Sequence, residues 1–383
     1  MDTTIVRNSF REKFGTSGVL YFSPGRINLI GEHTDYNGGY VLPGAIDKGI
    51  LTEITPNTSD RVRVYSLDLN DYVEFGLDEK DKPSASWAHY IFGVCREMIK
   101  RGARPHGFDA VFSGNVPLGA GLSSSAALES TFAFALNDLF DYDFDKKELV
   151  LIGQKTEHNY CGVNCGIMDQ FASIFGKEGN LVRLDCSTME YEYIPFNPLG
   201  YKLVLVDSVT KHELVDSPYN KRRQSCERAA AAITVNHPHV KLLGNADLEM
   251  LKEVKKLISE EDYMRAQYAI QENTRLINTC EALKQGDYQT VGRNLYATHH
   301  GMSKLYEVST IELDFLNDTA KACGVTGSRM MGGGFGGCTI NLVAEDKYDL
   351  FIDTAINRFK DKFGKEPKIY PVKISQGARR LNE

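Results

Sequence analysis

The stretch Asn115–Glu129, NVPLGAGLSSSAALE, constrains this chain more than any other. A short approach containing Pro117 passes Gly119 and Gly121 and reaches three consecutive serines, Ser123, Ser124 and Ser125. Ala126, Ala127, Leu128 and Glu129 then open a run of strong helix formers. Glycine lets backbone approach a ligand closely, and the first N–H groups of a helix lack internal partners. Such a junction suits a polyphosphate, because free donors and the positive end of the helix dipole converge on it. It also fits a plain turn with serines capping an ordinary helix. The stretch is neither GxxxxGK[ST] nor GxGxxG, and no lysine follows its glycines. A phosphate cradle of this kind draws its counter-charge from elsewhere in the chain.

The 383 residues suffice for two domains, each with its own core. A net charge of −7 argues against a nucleic-acid binder that relies on a basic surface. An anionic substrate is then met by local positive charge and a divalent cation. No apolar run is long enough to span a membrane, and MDTTIVRNSF has no apolar core for a signal peptide. Of eight cysteines only Cys161 and Cys165 stand close together, and no second pair at zinc spacing follows them. Reduced thiols in a cytoplasm are the expectation.

The second informative region is Arg26–Asp47, RINLIGEHTDYNGGYVLPGAID. It follows a strand at Val19–Ser23 that Pro24-Gly25 is expected to end. Arg26, Asn28, Glu32, His33 and Asp35 crowd within ten residues. So many hydrogen-bonding groups are costly to bury unless something polar satisfies them. A sugar does so, since its hydroxyls both donate and accept, and a carboxylate accepts from two neighbouring hydroxyls at once.

Alternation over Gly49–Phe75 predicts antiparallel strands in a meander. Helices are expected over Trp87–Arg101, from the serine run to Phe140, and over Lys146–Tyr160; a strand is expected over Phe108–Ser113. Asp169 falls where the Cys/Gly-rich loop CGVNCG gives way to a helix, a place that also fits a plain N-cap. A domain boundary near Pro195 precedes the strand KLVLVDS. Helices follow over Asp216–Val235, Ala246–Ile258, Glu260–Lys284, Gln289–Tyr306 and Thr310–Cys323. GSRMMGGGFGGC packs five glycines between Gly332 and Gly337 beside the apolar strand CTINLVA, which implies close backbone approach. Helix Lys347–Phe363 and strand Lys368–Ser375 end the chain.

Together the glycine-rich stretches resemble the small-molecule kinases of the GHMP type over nearly the whole chain. PLGAGLSSSAA is similar to that family's phosphate loop, which places Gly119, Ala120, Gly121, Leu122, Ser123, Ser124 and Ser125 on ATP. MGGGFGG is similar to its C-terminal glycine motif. GRINLIGEHTDYNGG resembles the N-terminal hallmark of the galactokinase branch, and CGIMDQF the stretch bearing that branch's catalytic aspartate. The resemblance implies an α/β N-terminal domain (1–195) with a mixed, partly antiparallel sheet, and an α+β C-terminal domain (196–383). The active site would lie in the cleft between them. The implied reaction is phosphorylation of the anomeric hydroxyl of D-galactose by ATP, the first step of galactose breakdown. Asp169 would take the proton, and Arg26 would pair with Asp169 and stabilise charge on the transferring group. Ser125 and Glu157 would hold Mg2+, while Glu32, His33, Asp35, Gly166 and Tyr219 would bind the sugar. Non-catalytic galactose sensors of the family lack residues in the serine–alanine run, which is intact here. A nucleotide-binding structural protein is disfavoured by the Glu32, His33 and Asp35 cluster. An N-acetylgalactosamine or arabinose kinase is the nearest enzyme alternative, and a monomer is expected.

Overall fold

The computed structural model describes residues 2–117, 121–210 and 218–382. The chain opens with α1 (Thr3–Phe14), β1 (Val19–Asn28), β2 (Tyr40–Val41), β3 (Pro43–Pro56), β4 (Arg61–Ser66), β5 (Asp71–Gly76), α2 (Ala88–Lys100) and β6 (Phe108–Gly114). It continues with α3 (Ser124–Leu139), α4 (Lys146–Thr156), α5 (Met168–Phe175), β7 (Asn180–Asp185) and β8 (Tyr191–Pro195). Then come β9 (Tyr201–Asp207), α6 (Pro218–Asn236), α7 (Leu248–Glu253), α8 (Glu260–Lys284), α9 (Tyr288–Lys304) and α10 (Ile311–Ala322). The last elements are β10 (Gly327–Met330), β11 (Cys338–Ala344), α11 (Tyr348–Phe363), β12 (Lys368–Val372) and β13 (Arg379–Arg380).

Two sheets organise these elements, in the orders β13-β1-β3-β6-β4-β5 and β10-β11-β9-β12, with a small third sheet β2-β7-β8. Helices α2 to α5 cover one face of the six-stranded sheet, setting Phe92, Phe132, Val150 and Phe171 against Ile54, Val62 and Phe108. Helix α1 covers the other face through Val6 and Phe10 against Leu20, Phe22 and Leu51. The second sheet rests on α10 and α11 through Val204, Val206, Leu316 and Phe351. A further core joins the two halves, because Ile27, Leu29 and Ile30 pack with Leu205, Leu276 and Ile340. Each such side chain contributes about 1.5–3 kcal/mol of burial, so the halves adhere.

The structure departs from the sequence reading at informative places. Pro24-Gly25 does not end the first strand; β1 runs through it with a register shift between Pro24 and Arg26, a bulge. A Cβ on Gly25 would lie 2.5 Å from the Leu122 carbonyl oxygen, and the Arg26 N–H donates to that oxygen at 3.1 Å. The proline–glycine pair therefore serves contact with the loop at Leu122 rather than a turn. The expected meander is also interrupted, since β6 inserts between β3 and β4 and pairs parallel with β4. Alternation identifies a strand but not its neighbour. Helix α7 is shorter than expected, and β12 stops at Val372, beyond which Ile374 bridges to Ile46 and β13 returns to pair with β1. No helix among the described residues is long and apolar enough to cross a membrane.

Candidate active site

Asp169 is the second residue of α5, behind an N-cap, Ile167, that makes no side-chain bond. The plain cap reading therefore fails, and the carboxylate is used elsewhere. Its Oδ1 accepts from Arg26 Nε at 2.9 Å and forms an ion pair with Arg26 Nη2 at 2.9 Å. Its Oδ2 accepts from Ser123 Oγ at 2.5 Å. The remaining Arg26 nitrogen, Nη1, donates to the Gly121 carbonyl. Arg26 presents 7% of its side chain to solvent and Asp169 presents 28%, so a buried guanidinium braces a carboxylate that opens on the cleft. Ser123 has φ 56 and ψ 56, a left-handed conformation that costs a serine energy. Its hydroxyl reaches Asp169 rather than capping α3. Ser124 begins α3, whose first-turn N–H groups lack helical acceptors. Leu122 is buried, while Gly119 and Ala120 lie outside the described residues.

Helix α4 closes in one π-helical turn, Glu157–Cys161, of a kind often found at functional sites. The turn aims Glu157 inward, to a buried position beside Cys165 and Ser125. Burial pushes this carboxyl above the usual range and the charge of Asp169 adds to the shift, while the neighbouring Cys165 and Ser125 oppose it. A hydroxyl and a buried carboxylate side by side are hard oxygen ligands that suit Mg2+, which completes its shell with water and phosphate oxygens. Among the described residues no cluster of three or more His, Cys, Asp or Glu could hold a metal ion. Behind Glu157 lies Glu129, fully buried and bonded by Gln170 Nε2 at 2.7 Å, its carboxyl driven well up by burial and by Glu157.

The loop after β1 carries the other wall. Glu32 Oε1 accepts from Arg329 Nη2 at 3.1 Å and from the Gly332 N–H at 2.9 Å. Burial alone would raise the Glu32 carboxyl, but Arg329, and then Arg26, outweigh it and hold the group below the usual range. Asp35 starts a single 3-10 turn and faces Gly166, where an added Cβ would lie 1.9 Å from Asp35 Oδ2. Only glycine fits there. Burial pushes Asp35 up to about 6; the Tyr36 N–H opposes this, and the charges of Asp169 and Glu32 add to it. Tyr219, in the first turn of α6, packs 5.4 Å from the His33 ring and 5.6 Å from the Tyr36 ring. Burial drives its phenol up, and Asp35 and Asp169 add to the shift. His33 itself has both ring nitrogens engaged within the protein, Nδ1 with the Tyr36 hydroxyl at 2.7 Å and Nε2 with the Gly333 carbonyl at 3.2 Å. Asp35, Cys165, Gly166 and Arg223 line a cavity of about 370 Å³, within the range of small-molecule pockets.

The two glycine loops meet over this cleft: a Cβ on Gly121 would lie 3.7 Å from the Met331 carbonyl oxygen. The matching families are described as GHMP kinases N terminal domain (residues 89–177), Galactokinase galactose-binding signature (8–56) and GHMP kinases C terminal (280–376). The chain is 41% identical over 369 residues to a galactokinase of Clostridium acetobutylicum, covering 95% of each chain. It is 41% identical over 381 residues to one of Fusobacterium nucleatum, covering 97% of this chain and 98% of that one. The chain belongs to the galactokinase family of GHMP kinases. It is therefore a sugar kinase. The solved structure of Lactococcus lactis galactokinase complexed with galactose superposes with a TM-score of 0.93 at 37% identity, over 98% of both chains. The Methanococcus jannaschii mevalonate kinase shares the fold, with a TM-score of 0.68 at 18% identity over 95% of this chain and all of that one.

The sequence reading missed Arg329, a fully buried guanidinium that holds the two halves together. It donates to the Leu29 carbonyl at 2.7 Å, to the Met330 carbonyl at 2.6 Å and to the Asn28 carbonyl, besides Glu32. A lone arginine within the glycine and methionine run GSRMMGGG was the available signal.

Proposed function

We propose that the protein transfers the γ-phosphoryl group of ATP to the anomeric hydroxyl of D-galactose, giving galactose 1-phosphate and ADP. The single observation that carries this reading is Asp169, held by the Arg26 guanidinium and the Ser123 hydroxyl yet partly exposed. A carboxylate so held has a free acceptor direction for an incoming hydroxyl. Asp169 takes the proton from the sugar oxygen, that oxygen forms the new bond to the γ-phosphorus, and the bond to the leaving oxygen of ADP breaks. Arg26 keeps Asp169 aimed and supplies positive charge beside the transferring group. The phosphate loop from Gly119 through Ala120, Gly121, Leu122, Ser123 and Ser124 to Ser125 cradles the phosphates with backbone donors. Ser125 and Glu157 would hold Mg2+, which when bound neutralises charge on the β- and γ-phosphates.

Asp35 accepts from two adjacent sugar hydroxyls, with Gly166 leaving it room. Glu32, His33 and Tyr219 complete the sugar site in this reading, Glu32 and His33 being braced by Arg329, the Gly332 N–H, the Tyr36 hydroxyl and the Gly333 carbonyl. We assign 1–195 and 196–383 as its two domains. A monomer is our reading, and all eight cysteines are free, which fits the cytoplasm. The test is Asp169→Asn with Mg-ATP and galactose, the product phosphate being located by phosphorus NMR. A general base contributes roughly 10²–10⁴-fold, so single-turnover rates should fall by that much while galactose binding persists. Turnover within a few-fold of wild type, or phosphate on another hydroxyl, would sink the assignment.

A further inference from the structure

Resting on the reading that this pocket holds galactose, we propose that a buried relay from Cys226 through Tyr306 and Tyr36 to His33 fixes the imidazole as its neutral Nε2–H tautomer. Tyr36 and Tyr306 are then positioning residues for the sugar pocket. The relay is continuous: Cys226 Sγ lies 3.2 Å from the Tyr306 hydroxyl, which lies 2.8 Å from the Tyr36 hydroxyl, which lies 2.7 Å from His33 Nδ1. At the far end His33 Nε2 meets the Gly333 carbonyl at 3.2 Å. Cys226, Tyr306 and His33 are buried.

The direction of every bond follows from that last contact. A carbonyl only accepts, so Nε2 carries a hydrogen. A neutral ring then has an acceptor at Nδ1, which Tyr36 must fill by donating. The Tyr36 oxygen in turn accepts from Tyr306, and the Tyr306 oxygen accepts from the Cys226 thiol. The reverse chain needs an imidazolium, donating at both nitrogens and ending on a thiol, which is a weak acceptor. Burial pushes His33 down to about 4, against the pull of Glu32, so the ring is neutral near pH 7. Burial likewise drives the Tyr36 and Tyr306 phenols up and the Cys226 thiol to about 11, so every donor keeps its hydrogen.

The relay joins segments that are distant in sequence. Cys226 lies on α6 and Tyr306 lies just beyond α9, whereas Tyr36 and His33 belong to the loop after β1. Gly333 belongs to the C-terminal glycine loop, and a Cβ there would sit 3.5 Å from the Tyr219 ring. His33 stands at φ 62, a left-handed conformation that persists only where its surroundings enforce it. Holding the His33 donor on Gly333 therefore keeps the glycine loop and Tyr219 in register with the sugar loop.

Nitrogen NMR of the side-chain imidazoles tests this, with the His33 signal assigned by its loss in His33→Gln. Wild type should show the Nε2–H pattern, and Tyr36→Phe should mix the tautomers. The same variant should raise the galactose KM about tenfold, the order expected when a buried acceptor loses its partner, with the ATP KM and kcat much less affected. Tyr306→Phe should act in the same direction but more weakly. Should Tyr36→Phe fail to fold, Cys226→Ser and Cys226→Ala serve instead, the serine keeping more galactose affinity because its hydroxyl still donates. A cationic or Nδ1–H His33 in wild type near neutral pH would overturn the proposal. So would an unchanged galactose KM in Tyr36→Phe, provided that wild type phosphorylates galactose. Because the NMR pattern requires no sugar, it decides the relay even if the substrate assignment fails.

Discussion

Glu32 and Asp35 stand in one loop, yet the protein treats their charges in opposite ways. Glu32 is met by Arg329 and the Gly332 N–H and is held below the usual carboxylate range. Asp35 faces Gly166 and the negative Asp169, and is pushed up to about 6. Among the described residues no ion pair reaches Asp35. The first charge is satisfied inside the fold and ties the two halves together. The second has no cation beside it among the described residues, which suits the role of accepting sugar hydroxyls proposed above. The contrast lies in which carboxylate of the loop is met by a cation and which is not.

The largest expected effect breaks the satisfied side. Arg329→Met strands Glu32 and should cost about 3–5 kcal/mol in urea unfolding, as removing one partner of a buried pair does. Arg329→Met combined with Glu32→Gln should recover part of that loss, since no charge is then left uncompensated. A cost of Arg329→Met alone below about 1 kcal/mol would mean that the pair is not what joins the halves.

A smaller effect tests the Asp35 side. Because the folded protein raises Asp35, the stability from its neutral form is complete below the unfolded value near 3.8 and is lost as pH rises through about 6. Asp35→Asn should therefore be more stable than wild type above pH 6, by about 1–2 kcal/mol after allowing for solvent screening. The gain should vanish towards pH 4, and galactose binding should be lost at every pH. In wild type, galactose affinity should climb as pH rises through about 6, because the ionised carboxylate accepts from two hydroxyls. Calorimetry and denaturation across that pH range check both statements; an affinity flat through it would leave Asp35 without the role assigned.

Asp169 lies between the two cases, braced by a cation and still open. The smallest effect sharpens it. Ser123→Gly removes the bond to Asp169 but relieves the left-handed backbone, two terms of about 1 kcal/mol or less with opposite signs. Thermal unfolding should shift little, and kcat should fall far less than in Asp169→Asn. A stability loss well above 1 kcal/mol would show that Ser123 is needed to support the fold.

Much of this site was legible before any coordinates. Arg26, Glu32 and Asp35 stand out because they crowd one strongly polar loop, whereas Ser125, Glu157 and Asp169 take their expected roles from the family resemblance of their stretches. Arg329 and the Tyr306–Cys226 end of the relay were not legible, because their partners lie far away in sequence. Arg329 bonds residues some three hundred positions earlier. Pro24-Gly25 was misread for the same reason: locally it signals a turn, and only the Leu122 carbonyl beside it makes it a bulge.

The sequence by itself determined the helices and strands in outline, the phosphate loop and the supply of polar groups for a sugar, because periodicity, capping and turn chemistry act over a few residues. Tertiary structure decided strand order, the parallel pairing of β4 with β6, and which carboxylate of the sugar loop receives a cation. These depend on burial and on Coulomb interactions between groups brought close only by folding. The same two side chains, a glutamate and an aspartate, acquire opposite roles once Arg329 is placed beside one and Gly166 beside the other.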